Sequence, residues 1–305
     1  MTHKSELAAL EIENLTKCYG TFEAVKKVSF NIFPGEVFAL LGPNGAGKTS
    51  IISIISTLEK LTSGSVKIFG VDIEKETMQS KRLIGVVHQE IVNSGFFDVT
   101  EILDFMSGYY GIYKNSERIN YILHKLGLYE HRQKKVKQLS GGMKRRLMVA
   151  KALVHSPKLL LLDEPTAGVD IQLREDLWNF VRELQSEGMS VLLTTHYLQE
   201  AQELCQRIGI LDKGQLKLVG QTKEIIKQFS LRKILIKTKT EESHYEANAF
   251  FEKKDQGYYS YFLPDNNYLG KLLQELSLKA EDILDIQTQE GSLEMAFKKA
   301  IEMKS

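Results

Sequence analysis

Two glycine-rich stretches of the 305-residue sequence suit an anion. The first, "GPNGAGKT" (Gly42 to Thr49), spaces glycines at 42, 45 and 47 so that the backbone can curl and aim several N–H groups inward at phosphate oxygens. Lys48 adds a point charge for terminal phosphates, and the Thr49 hydroxyl can ligate magnesium. The phosphate-binding set taken from this loop is Gly42, Asn44, Gly45, Ala46, Gly47, Lys48, Thr49 and Ser50. A short apolar run, "EVFALLG", precedes it and "KTSIISIISTL" follows with the spacing of a buried helix, which gives the strand, loop and helix that such a motif requires. The second stretch, "LSGGMKRRLMVAKAL", sets Ser140, Gly141 and Gly142 at a helix start, where free N–H groups and the helix dipole favour negative charge. Ser140 serves equally as a plain N-cap there.

A metal-bound phosphate also needs a carboxylate. "LLLLDEP" supplies Asp163 at the end of a fully apolar strand, where ligands gather in open parallel sheets. Glu164 beside it can orient and deprotonate an attacking water, which a phosphate-loop kinase does not need; the plain alternative is an acidic pair ending a strand before Pro165. Lys144, Arg145 and Arg146 read as a solvated face of an early helical turn, with a nucleotide contact as the alternative.

The elements follow from periodicity. "ALEIENLTKCYG" and "AVKKVSFNIF" are extended, the second alternating as a half-buried antiparallel strand does. "SVKIFG" and "LIGVVHQ" are strands with the charged "DIEKETMQSK" between them. Residues 100 to 128 carry helical spacing and no strand signal. Then "KLLLLDEP" and "SVLLTTH" are buried strands, with helices over 171 to 187 and 197 to 205. Buried strands alternating with helices mean a parallel sheet covered on both faces, so the fold class is α/β with an antiparallel edge. Near residue 220 this rhythm stops. After a connecting stretch, "QTKEIIKQF", come strands "KILIKTKT", "YYSYF" and "DILDIQT" and helices "NNYLGKLLQELSL" and "SLEMAFKKAIEM", the last capped by Ser292. The expected division is a domain over 1–220, with a helical subdomain over about 90–155, and a small α+β domain over 221–305. No internal repeat or low-complexity segment is visible.

Composition limits the class. Lys and Arg number 40 against 39 Asp and Glu, a balance that gives no reason to expect nucleic acid. Cys18 and Cys205 have no Cys or His at ligand spacing and read as free thiols of a reducing cytosol. The N-terminal "MTHKSELAALEIENL" lacks the apolar core of an export signal, and no apolar run approaches the roughly 20 residues of a membrane span.

In these residues the sequence resembles the ATP-binding subunits of ABC transporters over about residues 9 to 220. Besides "GPNGAGKT" and "LLLLDEP", Gln89 in "VVHQE" is similar to the family's Q-loop glutamine, "LSGGM" to its signature, "AGVD" with Asp170 to its D-loop, and His196 in "LLTTH" to its switch histidine. Six such motifs in the family's order are a specific match. The resemblance implies the phosphate-loop NTPase cassette fold (parallel core sheet, antiparallel β edge, inserted helical subdomain) with the α+β domain after it. It implies ATP and Mg2+, with Thr49, Gln89 and Asp163 around the metal, Glu164 and His196 acting on water, and Tyr19 stacked on adenine beside Val25. It further implies a head-to-tail dimer of cassettes, in which Ser140, Gly141 and Gly142 cover the partner's nucleotide, and a separate transmembrane permease docked near Phe96 and Phe97 (residues 90 to 106). The chain would then lie peripherally on the cytoplasmic face of the plasma membrane, and the sequence order most resembles exporter-type subunits. Outside the family setting, Tyr19, His196 and the Phe pair each suit ordinary packing. Met143 stands where the family usually has Gln, so hydrogen bonds made by that Gln are not carried over. The rival classes are a soluble ABC ATPase of DNA repair or translation, which would bring coiled-coil insertions or two cassettes, and an ATP-gated regulatory module, which would lack the base or metal ligand.

Overall fold

The computed structural model describes residues 7–89, 95–166, 171–229, 232–263, 268–289 and 291–302. Strands β1 (Leu10–Tyr19) and β2 (Phe22–Ile32) pair antiparallel, and Val28, Phe30 and Ile32 alternate inward as the sequence pattern requires. Next come β3 (Val37–Leu41), α1 (Lys48–Ile55), β4 (Ser63–Ile68), the short β5 (Val71–Asp72), α2 (Thr77–Leu83) and β6 (Ile84–Val87). The antiparallel strands form a sheet of their own, ordered β2-β1-β4-β5. Its apolar face shares one core with α1 and the central sheet, through Leu10, Phe30, Phe38, Ile51 and Leu161 among others.

A helical stretch follows: α3 (Val99–Tyr109), α4 (Ser116–Lys125) and α5 (Gly141–Leu153), with two short 3₁₀ turns at Tyr129–His131 and Val136–Gln138. A reciprocal cap starts α3, Asp98 accepting from the Glu101 N–H while Glu101 accepts from that of Asp98, both at 2.8 Å. Then β7 (Leu159–Asp163), α6 (Ile171–Ser186), β8 (Ser190–Thr195), α7 (Leu198–Leu204), β9 (Arg207–Asp212) and β10 (Gln215–Gln221) complete the central sheet, ordered β10-β9-β3-β8-β7-β6. The pairs β9/β3, β3/β8, β8/β7 and β7/β6 are parallel. Every residue of β3, β7 and β8 is buried, as a sheet covered on both faces demands. Parallel direction puts the carboxyl ends of β3, β6, β7 and β8 on one edge. The loops after them carry the phosphate motif, Gln89, the acidic pair and His196.

Two compact units divide the chain between Gly220 and Gln221. The second holds α8 (Thr222–Phe229), β11 (Arg232–Thr238), β12 (Phe251–Asp255), β13 (Tyr258–Leu263), α9 (Tyr268–Glu275), β14 (Ile283–Gln289) and α10 (Leu293–Glu302). Its strands make an antiparallel sheet, β12-β13-β11-β14. It has its own core of Ile234, Ile236, Tyr245, Tyr259, Tyr261, Leu263, Leu272 and Leu276. The Tyr261 hydroxyl donates to the Tyr245 carbonyl at 3.1 Å, which lets a large ring be buried without an orphaned polar atom. Ser292 does cap α10, its Oγ accepting from the Met295 N–H at 3.4 Å.

Five elements escape the periodicity. Helix α2 buries only Ser80, so its sequence has no apolar stripe. The hairpin β9–β10 turns on Lys213 and Gly214, and β12 is an edge strand with a mostly solvated pattern. The stretch "QTKEIIKQF" contains a helix, α8, which packs against α10 through a face that includes Ile225. No helix among the described residues is long and apolar enough to cross a membrane.

Candidate functional site

The loop after β3 is shaped by its glycines. A Cβ on Gly42 would stand 2.4 Å from the Leu211 carbonyl oxygen, and one on Gly47, at φ 106, would stand 2.6 Å from that of Ala24. Gly47 then precedes the first turn of α1, so Lys48 and Thr49 start the helix with unbonded N–H groups beside them. Asn44, Gly45 and Thr49 are exposed, Gly47 and Ser50 half-buried, and Ala46 is buried with its N–H donating to Pro43 at 3.2 Å. Lys48 is almost enclosed; its Nζ donates to the carbonyls of Gly42 at 2.8 Å and Pro43 at 3.1 Å.

Lys48 also reaches the loop after β7. Its Nζ is 3.5 Å from Glu164 Oε1. The other carboxylate oxygen, Oε2, accepts from Gln89 Nε2 at 3.4 Å and lies 3.3 Å from His196 Nδ1. An ammonium, an amide and an imidazole from three different loops therefore converge on one carboxylate. Thr194, at the end of β8, fixes the acidic pair: its hydroxyl donates to Asp163 Oδ1 at 2.5 Å and accepts from the Glu164 N–H at 3.1 Å. Glu164 itself has φ 44, a left-handed backbone that a non-glycine residue adopts only under constraint.

Thr49, Gln89 and Asp163 line a single cleft of about 690 Å³, together with His88, Tyr110 and Met148. A hydroxyl, an amide oxygen and a carboxylate are the oxygen donors that a hard divalent cation takes, so these residues fit magnesium. Tyr19 lies beside α1, its hydroxyl bonded to Glu59 and, at 3.4 Å, to Ser50. Burial, then the Glu59 bond, push its phenol up from the ordinary value. Its ring is 44% exposed and carries the Lys17 ammonium at 4.8 Å from its centroid, so it offers surface for stacking. Val25 does not. It is wholly buried against Gly47, and the expectation that it touches adenine gives way to a supporting place behind the loop.

The second glycine motif stands apart. Ser140 and Gly141 are exposed at the start of α5, where Ser140 Oγ accepts from the Met143 N–H at 3.3 Å. Among the described residues no hydrogen bond or ion pair joins Ser140, Gly141 or Gly142 to Gly42–Thr49. Asp170 lies outside the described residues, as do residues 90–94 of the stretch expected to dock a permease. Within the rest of that stretch Phe96 is 84% exposed, and Phe97 meets Phe105 edge to face at 4.9 Å.

The solvated face expected of Lys144, Arg145 and Arg146 is corrected at Arg145, while the other two stay partly exposed. Arg145 is 6% exposed and donates to carbonyls of the Gln89 and Glu164 loops, while Arg146 pairs with Asp176 at 2.7 Å. Two further residues went unread. Thr194 lies in the quoted "LLTTH" without a signal of its own. Glu200 on α7 is buried and accepts from Thr166 Oγ1 at 2.7 Å and Thr195 Oγ1 at 3.0 Å, and burial raises its pKa against those bonds. A Glu four positions after a strand-end His was the only hint.

The arrangement can bind a polyphosphate on the loop and poise a carboxylate toward water next to it. Comparison with known proteins identifies the family. Residues 25–167 match the ABC transporter family. The linearmycin resistance ATP-binding protein LnrL of Bacillus subtilis is 43% identical over 213 residues, covering 69% of this chain and 68% of that protein. The Nod factor export ATP-binding protein I of Cupriavidus metallidurans is 37% identical, covering 72% and 73%. Among solved structures, the dimeric bacterial ABC transporter cassette MJ0796 superposes with a TM-score of 0.64 at 28% identity, covering 70% of this chain and 98% of that one. The chain therefore belongs to the ABC transporter family, as one of its ATP-binding proteins, with the α/β phosphate-loop cassette followed by a small α+β unit.

Proposed function

We propose that this chain is the ATP-hydrolysing subunit of an exporter-type ABC transporter and powers a separate transmembrane permease. The observation that carries the hydrolytic part is the convergence of Lys48, Gln89 and His196 on the Glu164 carboxylate, next to the phosphate loop. Glu164 takes the proton of the attacking water, and His196 orients that water and the terminal phosphate. Lys48 and the loop N–H groups hold the phosphates, and Tyr19 stacks on the base. Thr49, Gln89 and Asp163 would hold magnesium, which when bound would neutralise charge on the phosphate oxygens.

The dimeric part rests on the Ser140–Gly142 turn, where Ser140 and Gly141 are exposed and no bond to the chain's own phosphate loop is present among the described residues, and on the dimeric cassette among the structural neighbours. Closed over a partner's nucleotide, the turn excludes solvent and places N–H groups against developing charge. The second cassette is a copy of this chain or a paralogue. The exporter assignment follows the relatives named for Nod factor export and linearmycin resistance. Phe96 and Phe97 mark the surface that meets the permease, through which the chain sits on the cytoplasmic side of the membrane. The unit after Gly220 is an accessory domain.

Glu164→Gln tests the hydrolytic core. Phosphate release should fall by about 10²- to 10⁴-fold, the usual worth of a general base, while a fluorescent ATP analogue still binds. Release at the parent rate would remove Glu164 from this role. Replacing Phe96 and Phe97 by Ala should abolish co-purification with a permease, and retention would count against that surface.

A further inference from the structure

Arg145 sits one turn into α5 and is enclosed, with 6% exposure. Among the described residues no carboxylate pairs with it; the guanidinium is spent on backbone carbonyls. Nε donates to Pro165 at 2.8 Å and Nη2 to Glu164 at 3.1 Å, so one edge of the fork holds the turn after β7. Nη1 donates to His88 at 2.8 Å and Gln89 at 3.0 Å, the segment after β6. Burial without a counter-ion is costly, and here it depresses the guanidinium pKa, with Asp163 opposing. A charge kept inside under those terms requires the carbonyls to stay where they are, and leaving them unpaired would be costly too.

The two backbone segments that share this fork carry the two side chains that meet at 3.4 Å, Gln89 Nε2 and Glu164 Oε2. Glu164 is held from both sides. Thr194 takes its N–H, Arg145 takes its C=O, and between them the φ of 44 is maintained. Meanwhile Arg145 belongs to the helix that Ser140 caps and that Gly141 and Gly142 begin. We propose that Arg145 is a positioning residue that locks the Glu164 carboxylate and the Gln89 amide into register with α5, so that the base is aligned only when α5 is seated. A Lys has donors to spare but no planar fork, and cannot bridge both segments at these distances. The inference rests on the hydrolytic role of Glu164 proposed above.

A double-mutant cycle on the full-length chain tests it, using single-turnover phosphate release from MgATP, analogue titration and thermal unfolding. In the parent background Arg145→Gln and Arg145→Lys should each lower the hydrolysis rate by about 10²-fold, the scale of a misplacement near 1 Å, with analogue affinity within about twofold. In the Glu164→Gln background the same changes should cost no more than about tenfold, the share left to Gln89, because the carboxylate they align is already gone. Equal losses in both backgrounds would make Arg145 a support of the fold alone and overturn the inference. Full turnover in both Arg145 variants would overturn it as well. An unimpaired Glu164→Gln single mutant is a different failure: it sinks the base assignment on which the inference stands.

Discussion

The phosphate loop and the acidic corner at Asp163–Glu164 lie at the same edge of the central sheet, yet they are assembled in contrasting ways. The loop is one contiguous segment whose shape comes from backbone: glycines at close approaches, a lysine returning to its own carbonyls, a helix N-terminus. The corner draws its parts from separate loops and is fixed by side chains, with Thr194 and Arg145 on the Glu164 backbone and Lys48, Gln89 and His196 on its carboxylate. A contiguous segment is suited to hold a ligand in any state of the fold around it. A corner made of distant pieces responds when those pieces move. Damage to the loop should accordingly appear in affinity, and damage to the corner in turnover.

Lys48→Ala is the largest test of that division. Removing a charge-assisted contact to phosphate should cost about 3 kcal/mol, more than 10²-fold in ATP affinity, read by titrating a fluorescent analogue. Affinity unchanged within error would contradict the phosphate role of the loop.

Thr194→Val addresses the other region. The shape is kept, but Asp163 Oδ1 loses a donor and the Glu164 N–H loses a side-chain acceptor while retaining the Thr194 carbonyl at 3.1 Å. The expected result is about tenfold slower hydrolysis, with roughly 1–2 kcal/mol lost from stability in urea and ATP affinity preserved. A variant that bound ATP poorly but turned it over at the parental rate would erase the contrast between the two regions.

The same contrast explains what the sequence reveals. "GPNGAGKT" is legible because all its chemistry is local and its neighbours announce strand and helix. The parallel sheet is legible for a similar reason, since a strand buried on both faces must be a continuous apolar run, as "LLLL" in β7 is. Arg145 is opaque: three consecutive basic residues on a helix look alike until the fold shows that one of them is inside. Val25 is opaque in the opposite sense. A position matched by resemblance could not disclose that its side chain is wholly covered. In the second unit "TKEIIKQF" carries apolar Ile225, Ile226 and Phe229, but eight residues make barely two turns, too short a window to separate a helix from a connection, and its partner α10 lies about seventy residues later (Thr222 to Leu293).

Tyr19→Ala refines the loop side. Stacking on the base is worth about 1 kcal/mol, so affinity should weaken roughly fivefold with the hydrolysis rate intact. Tyr19→Phe keeps the ring and loses only the bonds to Glu59 and Ser50, and should bind as the parent does. Equal losses in both variants would assign the contribution to the hydroxyl and not to the ring.

Glu200→Gln should leave both affinity and rate nearly unaltered and show itself in the pH dependence of stability. Glu200 is buried, with Arg174 Nε 3.3 Å from one oxygen, and its folded pKa lies above the ordinary 4.5 because burial outweighs the bonds from Thr166 and Thr195. The folded state therefore binds more protons than the unfolded one between that ordinary value and the raised folded value, and the contribution of Glu200 to stability falls as pH rises across that window. Glutamine does not titrate. The stability of the parent minus that of the variant, from urea midpoints at a series of pH values, should therefore decrease from acid toward neutrality and then level off. A difference that increases with pH would mean that the hydrogen bonds and Arg174 outweigh burial, so that the partners of Glu200 favour its charged form.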